Sequence, residues 1–134
     1  MADNSAKQRL VRFLAEVNRQ VHDCEERASR LDPASGDQNA FRALMLEKAT
    51  LLKELEEKSA RLVEDYAEEA AMLGPQEVAL AETVAATVRR FSKGANTALK
   101  LDSVFYMSAL LYPDEHRKGE PNNLELLITA LELQ

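Results

Sequence analysis

Residues 10–31, LVRFLAEVNRQVHDCEERASRL, decide the fold class. Leu10, Leu14, Val17, Val21, Cys24, Ala28 and Leu31 follow one another in steps of 4, 3, 4, 3, 4 and 3. Such steps keep one apolar stripe on one side of an α-helix, as a seam facing a partner helix requires. Val11 and Phe13 widen the seam near its start, and Arg12, Glu16, Arg19, Asp23, Glu26, Arg27 and Arg30 occupy the opposite face. The pattern predicts a helix over 5–31. Glu16 and Gln20, and Asp23 and Arg27, stand at i,i+4; the second pair is worth a few tenths of a kcal/mol.

Beyond this helix the residues Leu31 to Asp37 read as a loop. Pro33 biases Asp32 away from helix, and Gly36 allows a reversal. Ser35 with Gln38, or Asp37 alone, suits the cap of a second helix over 37–73. Phe41, Met45, Leu52, Leu55, Leu62, Tyr66 and Leu73 continue the seam, while Lys48, Ser59 and Glu69 place polar groups in it. Such a helix is about 55 Å long, whereas a compact globule of this chain length is about 36 Å across. The expected shape is therefore elongated, and the first helix cannot cover the whole of the second.

Gly74-Pro75 ends one helix and starts the next, since Gly suits the position past a helix end and Pro the first helical position. A third helix over 75–93 buries Val78, Ala81, Val84, Ala85, Val88 and Phe91 and turns back along the second. Arg89, Arg90 and Lys93 then fall in its last turn, where cations suit the helix dipole. Gly94-Ala95-Asn96 interrupts the pattern. A fourth helix is expected over 96–112, most firmly after Asp102. A polar loop follows over 114–121. Asn122 with Glu125 forms a capping-box spacing for a fifth helix over 122–133. The expected fold is all-α: an elongated, coiled-coil-like antiparallel helical hairpin extended by a third helix and two short C-terminal helices, all in one domain, 1–134.

Bulk composition agrees. The 134 residues suit one domain. With 46% apolar and 30% charged residues the chain is too apolar for disorder and too charged for a membrane protein. Four Gly and four Pro supply little turn chemistry for a β fold. The net charge of −6 is unevenly spread. Residues 1–36 hold six acids and six bases, 37–74 nine acids and five bases, and 75–134 eight acids and six bases. No segment is strongly basic, so no nucleic-acid partner is expected. Val104 to Leu111 is far too short to span a bilayer, so no membrane partner is expected either. The start, MADNSAKQR, lacks the apolar run of a signal peptide. One cysteine, Cys24, excludes an internal disulfide, and the expected compartment is cytoplasmic.

Motifs for chemistry are few. A di-iron carboxylate bundle needs Glu-x-x-His on two helices, and neither His22 nor His116 follows a Glu at that spacing. His22 and Cys24 point to different helix faces, so His22 is expected to be solvated and Cys24 a small core residue. The glycines at 36, 74, 94 and 119 are isolated, which excludes the Gly-rich phosphate cradles. No strand–turn–helix context exposes a serine nucleophile. Glu64, Asp65, Glu68 and Glu69 read as the solvated face of a long helix. Arg117 and Lys118 are largely cancelled by Asp114, Glu115 and Glu120. The reading is of no catalytic residue, no cofactor and no metal site.

What stands out is apolar surplus near the C-terminus. Val104, Phe105, Tyr106, Met107, Ala109, Leu110, Leu111 and Tyr112 cover every side of a short helix, with three of the seven aromatics. Leu124, Leu126, Leu127, Ile128, Ala130, Leu131 and Leu133 do nearly the same on the last one. A helix apolar all round must be surrounded, and a slender hairpin offers only a narrow stripe. Each exposed leucine forgoes roughly 1.5–3 kcal/mol, and a patch of several marks an interface. The expected function is a non-enzymatic protein–protein interaction module, an adaptor, assembly factor or chaperone-like partner. Its expected anchors are Phe105, Tyr106, Leu110, Tyr112, Leu127 and Leu131, and its partner another protein chain, a second copy or a different protein. The alternatives are a self-assembling coiled-coil subunit, with Lys48, Ser59 and Glu69 fixing register between copies, and a helical enzyme subunit sharing its site with a partner. In size, acidity and helical outline the chain resembles small acidic export chaperones of bacterial secretion systems and other coiled-coil adaptors, a likeness of shape and charge that implies a binding role.

Overall fold

The computed structural model describes residues 5–31, 36–113, 116–117 and 119–133. Pro33 and Ser35 of the first loop, and Asp114, Glu115 and Lys118 of the last, lie outside them. The described residues form six α-helices and no strand: α1 Ala6–Ser29, α2 Gln38–Lys53, α3 Leu55–Leu73, α4 Pro75–Leu101, α5 Val104–Ala109 and α6 Asn123–Glu132. The all-α class holds, and α1 against α2–α3 forms a long bent hairpin. None of the helices is long and apolar enough to cross a membrane.

The α1 seam is buried from Leu10 to Ala28, and Leu31 is half-buried. α2 and α3 cover it in turn, α4 packs against both of them, and α6 lies on α1. The start of α1 is tied twice. The Ser5 hydroxyl accepts from the Gln8 N–H at 3.1 Å. The Glu69 carboxylate of α3 accepts from the Ala6 and Lys7 N–H groups at 3.1 and 3.2 Å. An acid at a helix N-terminus satisfies orphan donors and complements the dipole, so a polar residue in the seam of α3 serves this same chain. Close by, the buried Tyr66 hydroxyl donates to Glu77 of α4, which also pairs with Lys7 at 3.2 Å.

The second expected helix, 37–73, is not continuous. It bends at Glu54, between α2 and α3. The cause is Ser92 of α4. Its hydroxyl accepts from the Glu56 N–H at 2.9 Å and donates to the Leu52 carbonyl at 2.8 Å. In an uninterrupted helix those two groups bond to each other. A side chain inserted in the ladder is a recognised source of kinks, and here it lets α2–α3 wrap around α1.

Gly94 does not end the third helix, as the sequence suggested; α4 runs through it to Leu101. Val84, Val88, Phe91, Ala95 and Ala98 keep the seam in step across the glycine, and burial of that face outweighs a propensity cost of about 1 kcal/mol. Arg89, Arg90 and Lys93 are therefore mid-helix and do not cap a terminus. Arg89 pairs with Glu56 at 3.1 Å, and Arg90 donates to the Thr87 hydroxyl. The true end is at Asp102, whose φ of 52° is left-handed. The Ser103 N–H reaches the Ala98 carbonyl and the Asp102 N–H the Leu99 carbonyl, the double bond of a Schellman ending. The expected 96–112 helix is thus divided: its first turns belong to α4, and α5 begins after Ser103.

Two substitutions test this account. Ser92→Ala removes the group bridging Leu52 and Glu56, and should lower stability by about 1–3 kcal/mol in urea titration. Gly94→Ala should raise it by about 0.5–1 kcal/mol, because a Cβ there meets only Leu110 Cδ2 at 3.8 Å. No loss for the first would mean that the ladder closes without the hydroxyl.

Candidate functional site

The six expected anchors divide between surface and core. Ser103 caps α5, its hydroxyl accepting from the Tyr106 N–H. Six residues allow α5 one buried face, and Met107 occupies it, followed by Leu111 after the helix. Phe105 and Tyr106 point outward, 74% and 53% exposed, with their rings edge to face at 5.7 Å. Leu110 and Tyr112 are half-buried. On α6, Leu124, Leu127 and Leu131 form the buried stripe, so Leu127 and Leu131 belong to this chain's own core. The surplus left on α6 is Leu126 and Leu133, on its outer side.

Where α5 crosses the end of α4 the surface is open. A cavity of about 510 Å³ lies between them, lined by Gly94, Thr97, Ala98, Leu101, Tyr106 and Leu110, with Ala109. Leu101 at its edge is 59% exposed. Leu101 and Thr97 were missed from sequence because a helix break was expected at Gly94. The steps of 4, 3, 4 and 3 from Val84 to Ala98 carry the signal that α4 continues.

Behind this edge sits a polar cluster that the sequence showed only as a charge in a seam. Lys48 of α2 is fully buried. Its Nζ donates to the Ser108 carbonyl at 2.8 Å, pairs with Glu25 of α1 at 2.9 Å and lies 4.9 Å from the centre of the Tyr112 ring. The Tyr112 hydroxyl donates to the same Glu25 carboxylate at 2.7 Å. Burial pushes the Lys48 ammonium below the usual lysine range, against the pull of Glu25. Burial and the Glu25 carboxylate push the Tyr112 hydroxyl up. Burial likewise raises the Cys24 thiol to about 11, which keeps it protonated and unreactive at neutral pH; as expected, it is a small core residue.

A second polar group anchors α6. The capping box is present: the Glu125 N–H donates to Asn122 Oδ1 and the Asn122 N–H to Glu125 Oε1, both at 2.8 Å. Asn122 is fully buried, and its Nδ2 donates to Asn18 Oδ1 at 3.0 Å. Glu125 Oε2 meets His22 Nε2 at 3.1 Å. His22 is exposed, as expected, yet it also connects α1 to α6. Burial alone would raise the Glu125 carboxyl, but bonds from the Asn122 N–H, His22 and Asn18 hold it below the usual range. Between the two clusters Leu111 has a φ of 75°, uncommon for a bulky residue. Its buried side chain and the Asn123 N–H on its carbonyl at 2.8 Å hold it there, and the turn delivers Tyr112 to Lys48.

No family model, no curated protein and no solved structure matches this chain. Among the described residues no group of three or more His, Cys, Asp or Glu side chains is placed to hold a metal ion. The lysine cluster is closed on itself: each polar atom of Lys48, Glu25 and Tyr112 described above has a partner inside the chain. It fits a staple between α1, α2 and α5. The open part of the site is apolar.

Removing one partner of a buried ion pair strands the other. Glu25→Ala should therefore cost about 3 kcal/mol in urea titration, and Glu25→Ala with Lys48→Met clearly less. If the double variant is no better than the single, Lys48 is not held by this pair. Glu125 and Glu77, the latter lowered first by the Tyr66 hydroxyl and further by Lys7, favour the folded state when ionised. Their contribution is complete above the ordinary glutamate pKa of about 4.3 and is lost as pH falls through their lower folded values. Thermal melts from pH 6 to pH 3 should show stability falling at the acid end, and Glu125→Gln should flatten the slope.

Proposed function

We propose that this chain is a non-enzymatic protein-interaction module that docks another protein through the edge formed by the end of α4 and the outer side of α5. One observation carries the reading: Leu101 and Tyr106 stand largely exposed around an open apolar cavity, and the exposed Phe105, outside its lining, packs edge to face on Tyr106. Large apolar side chains grouped at the rim of a preformed cavity are the usual anchors of a docking surface, with aromatics contributing most. The edge is also stiff. The Schellman ending, the Ser103 cap and the Lys48–Ser108 bond fix α5 against α4 and α2, which limits the ordering cost of binding. Leu110 lines the cavity and Tyr112 is held in the Lys48 cluster, whereas Leu127 and Leu131 have no part in the edge.

The self-assembly reading has less to support it. The three polar seam residues have partners within the chain: Lys48 on Glu25, Glu69 on the start of α1, and Ser59 with its hydroxyl on the Glu56 carbonyl. None is left to set register between copies.

The test is co-purification from the source cells with the tagged chain, compared with Leu101→Ser and Phe105→Ser. Both positions are exposed, so the variants should keep the parent circular dichroism. Each should lose the partner by about tenfold or more, consistent with an anchor worth over 1 kcal/mol. Recovery of the same protein in equal amount with both variants would sink this assignment.

A further inference from the structure

A second outward-facing groove, separate from the α4–α5 edge, runs between α3 and the first half of α4. It encloses about 380 Å³. Its floor is Ala60, Val63, Ala67, Val78 and Ala85, all half-buried or exposed. The lining extends from Glu56 to Ala67 on α3 and from Val78 to Arg89 on α4. Each is eleven residue steps, about 16 Å or three helical turns. With nothing larger than valine on the floor, another helix backbone can approach to the short end of the 8–10 Å interaxial range.

Charge identifies the occupant. The charged residues of the lining are Glu56, Glu64, Glu82 and Arg89; Lys58 and Arg61 of α3 pair with Glu54 and Asp65, and residues 64–82 hold six carboxylates and no Lys or Arg. Three of the six are engaged with α1: Asp65 with Arg9, Glu69 with the start of the helix and Glu77 with Lys7. Glu64 and Glu82 line the groove, one on each rim, and Glu57 and Glu68 are exposed on the same helix as Glu64. No ion pair is seen for any of these four among the described residues, while Glu56 is matched by Arg89 at one end. A second copy offering the same groove would set carboxylate against carboxylate. A helix with basic flanks would meet an unpaired carboxylate on either side.

We propose that this groove binds a three-turn amphipathic helix of a different protein. That helix presents small apolar residues at i, i+3 or i+4, and i+7, with Lys or Arg on both flanks. The apolar stripe enters the floor, and the basic flanks reach Glu64 and Glu82.

The experiment uses the full chain and two fluorescein-labelled 18-residue helical peptides with the same alanine–leucine stripe, one flanked by lysine and one by glutamate. Fluorescence anisotropy should show saturable binding of the lysine peptide, at least tenfold tighter than that of the glutamate peptide. Glu64→Lys with Glu82→Lys should reverse the preference. Ala67→Trp, which fills the floor without changing charge, should abolish binding of the lysine peptide, and Ala60→Trp serves as a second block at another exposed position. Leu101→Ser should leave peptide binding unchanged, which separates this site from the α4–α5 edge. Binding that survives both tryptophan variants would show charge attraction without a groove and overturn the proposal. So would equal affinity for the two peptides. Sedimentation velocity adds a third decisive outcome: a parent dimer made monomeric by Ala67→Trp would give the groove to a second copy.

Discussion

The narrow apolar stripe of α1 is the constraint to which the other helices conform. It places seven residues over the 22 positions from Leu10 to Leu31, and no single straight helix can cover it and also bury its own second side. The chain has no tryptophan and only seven aromatics, so cover has to come from several helices. α2, α3 and α6 each take part of it, and the bend at Glu54 lets the first two do so in succession. Ser92 makes that bend stable by standing in for the Leu52–Glu56 backbone bond. α4 thus holds the curvature of its neighbour as well as packing on it.

Polar residues inside the seam follow from the same geometry. A continuous leucine seam would favour a straight coil with a partner. Lys48 and Glu69 instead direct specific intramolecular contacts, one toward α1 and α5, the other onto the first turn of α1. A buried charge is a weak source of net stability, because desolvation offsets most of the attraction. What Lys48 does is gather three helices: its ammonium meets Glu25 of α1, the Ser108 carbonyl of α5 and the Tyr112 ring. These contacts accompany the left-handed Leu111 and an α5 with Met107 inward and Phe105 outward.

The hairpin was readable in the sequence because its signal is repeated. The α1 seam, the Gly74-Pro75 junction and the Asn122–Glu125 cap each depend on residues near in sequence. The bend at Glu54 was not readable, since its cause, Ser92 on α4, lies 36 positions beyond the Glu56 N–H that it binds. The extent of α4 is legible in the steps from Val84 to Ala98, a periodicity that overrides the local preference of Gly94. Of the anchors, Phe105 and Tyr106 were placed outward by a helix too short to hide them. Leu127 and Leu131 could not be told from Leu126 and Leu133 until the docked face of α6 was known. A helix apolar on most sides does not say which side is inside.

Two surfaces of unlike chemistry lie along α4. Near its start the lining is alanine and valine with carboxylates on the rims. Near its end it is leucine and aromatic, with no charged residue in the lining. Both surfaces are held by one unbroken helix of 27 residues, about 40 Å long. Their separation is therefore fixed by backbone hydrogen bonds and not by loop conformation. Gly94 is the position within α4 where that rigidity is weakest. It lines the near end of the α4–α5 cavity, five residues past Arg89 where the groove ends, and a Cβ there would stand 3.8 Å from Leu110 Cδ2. The residue that closes α5 thus leaves room for one methyl group over the weakest point in the helix that carries both surfaces.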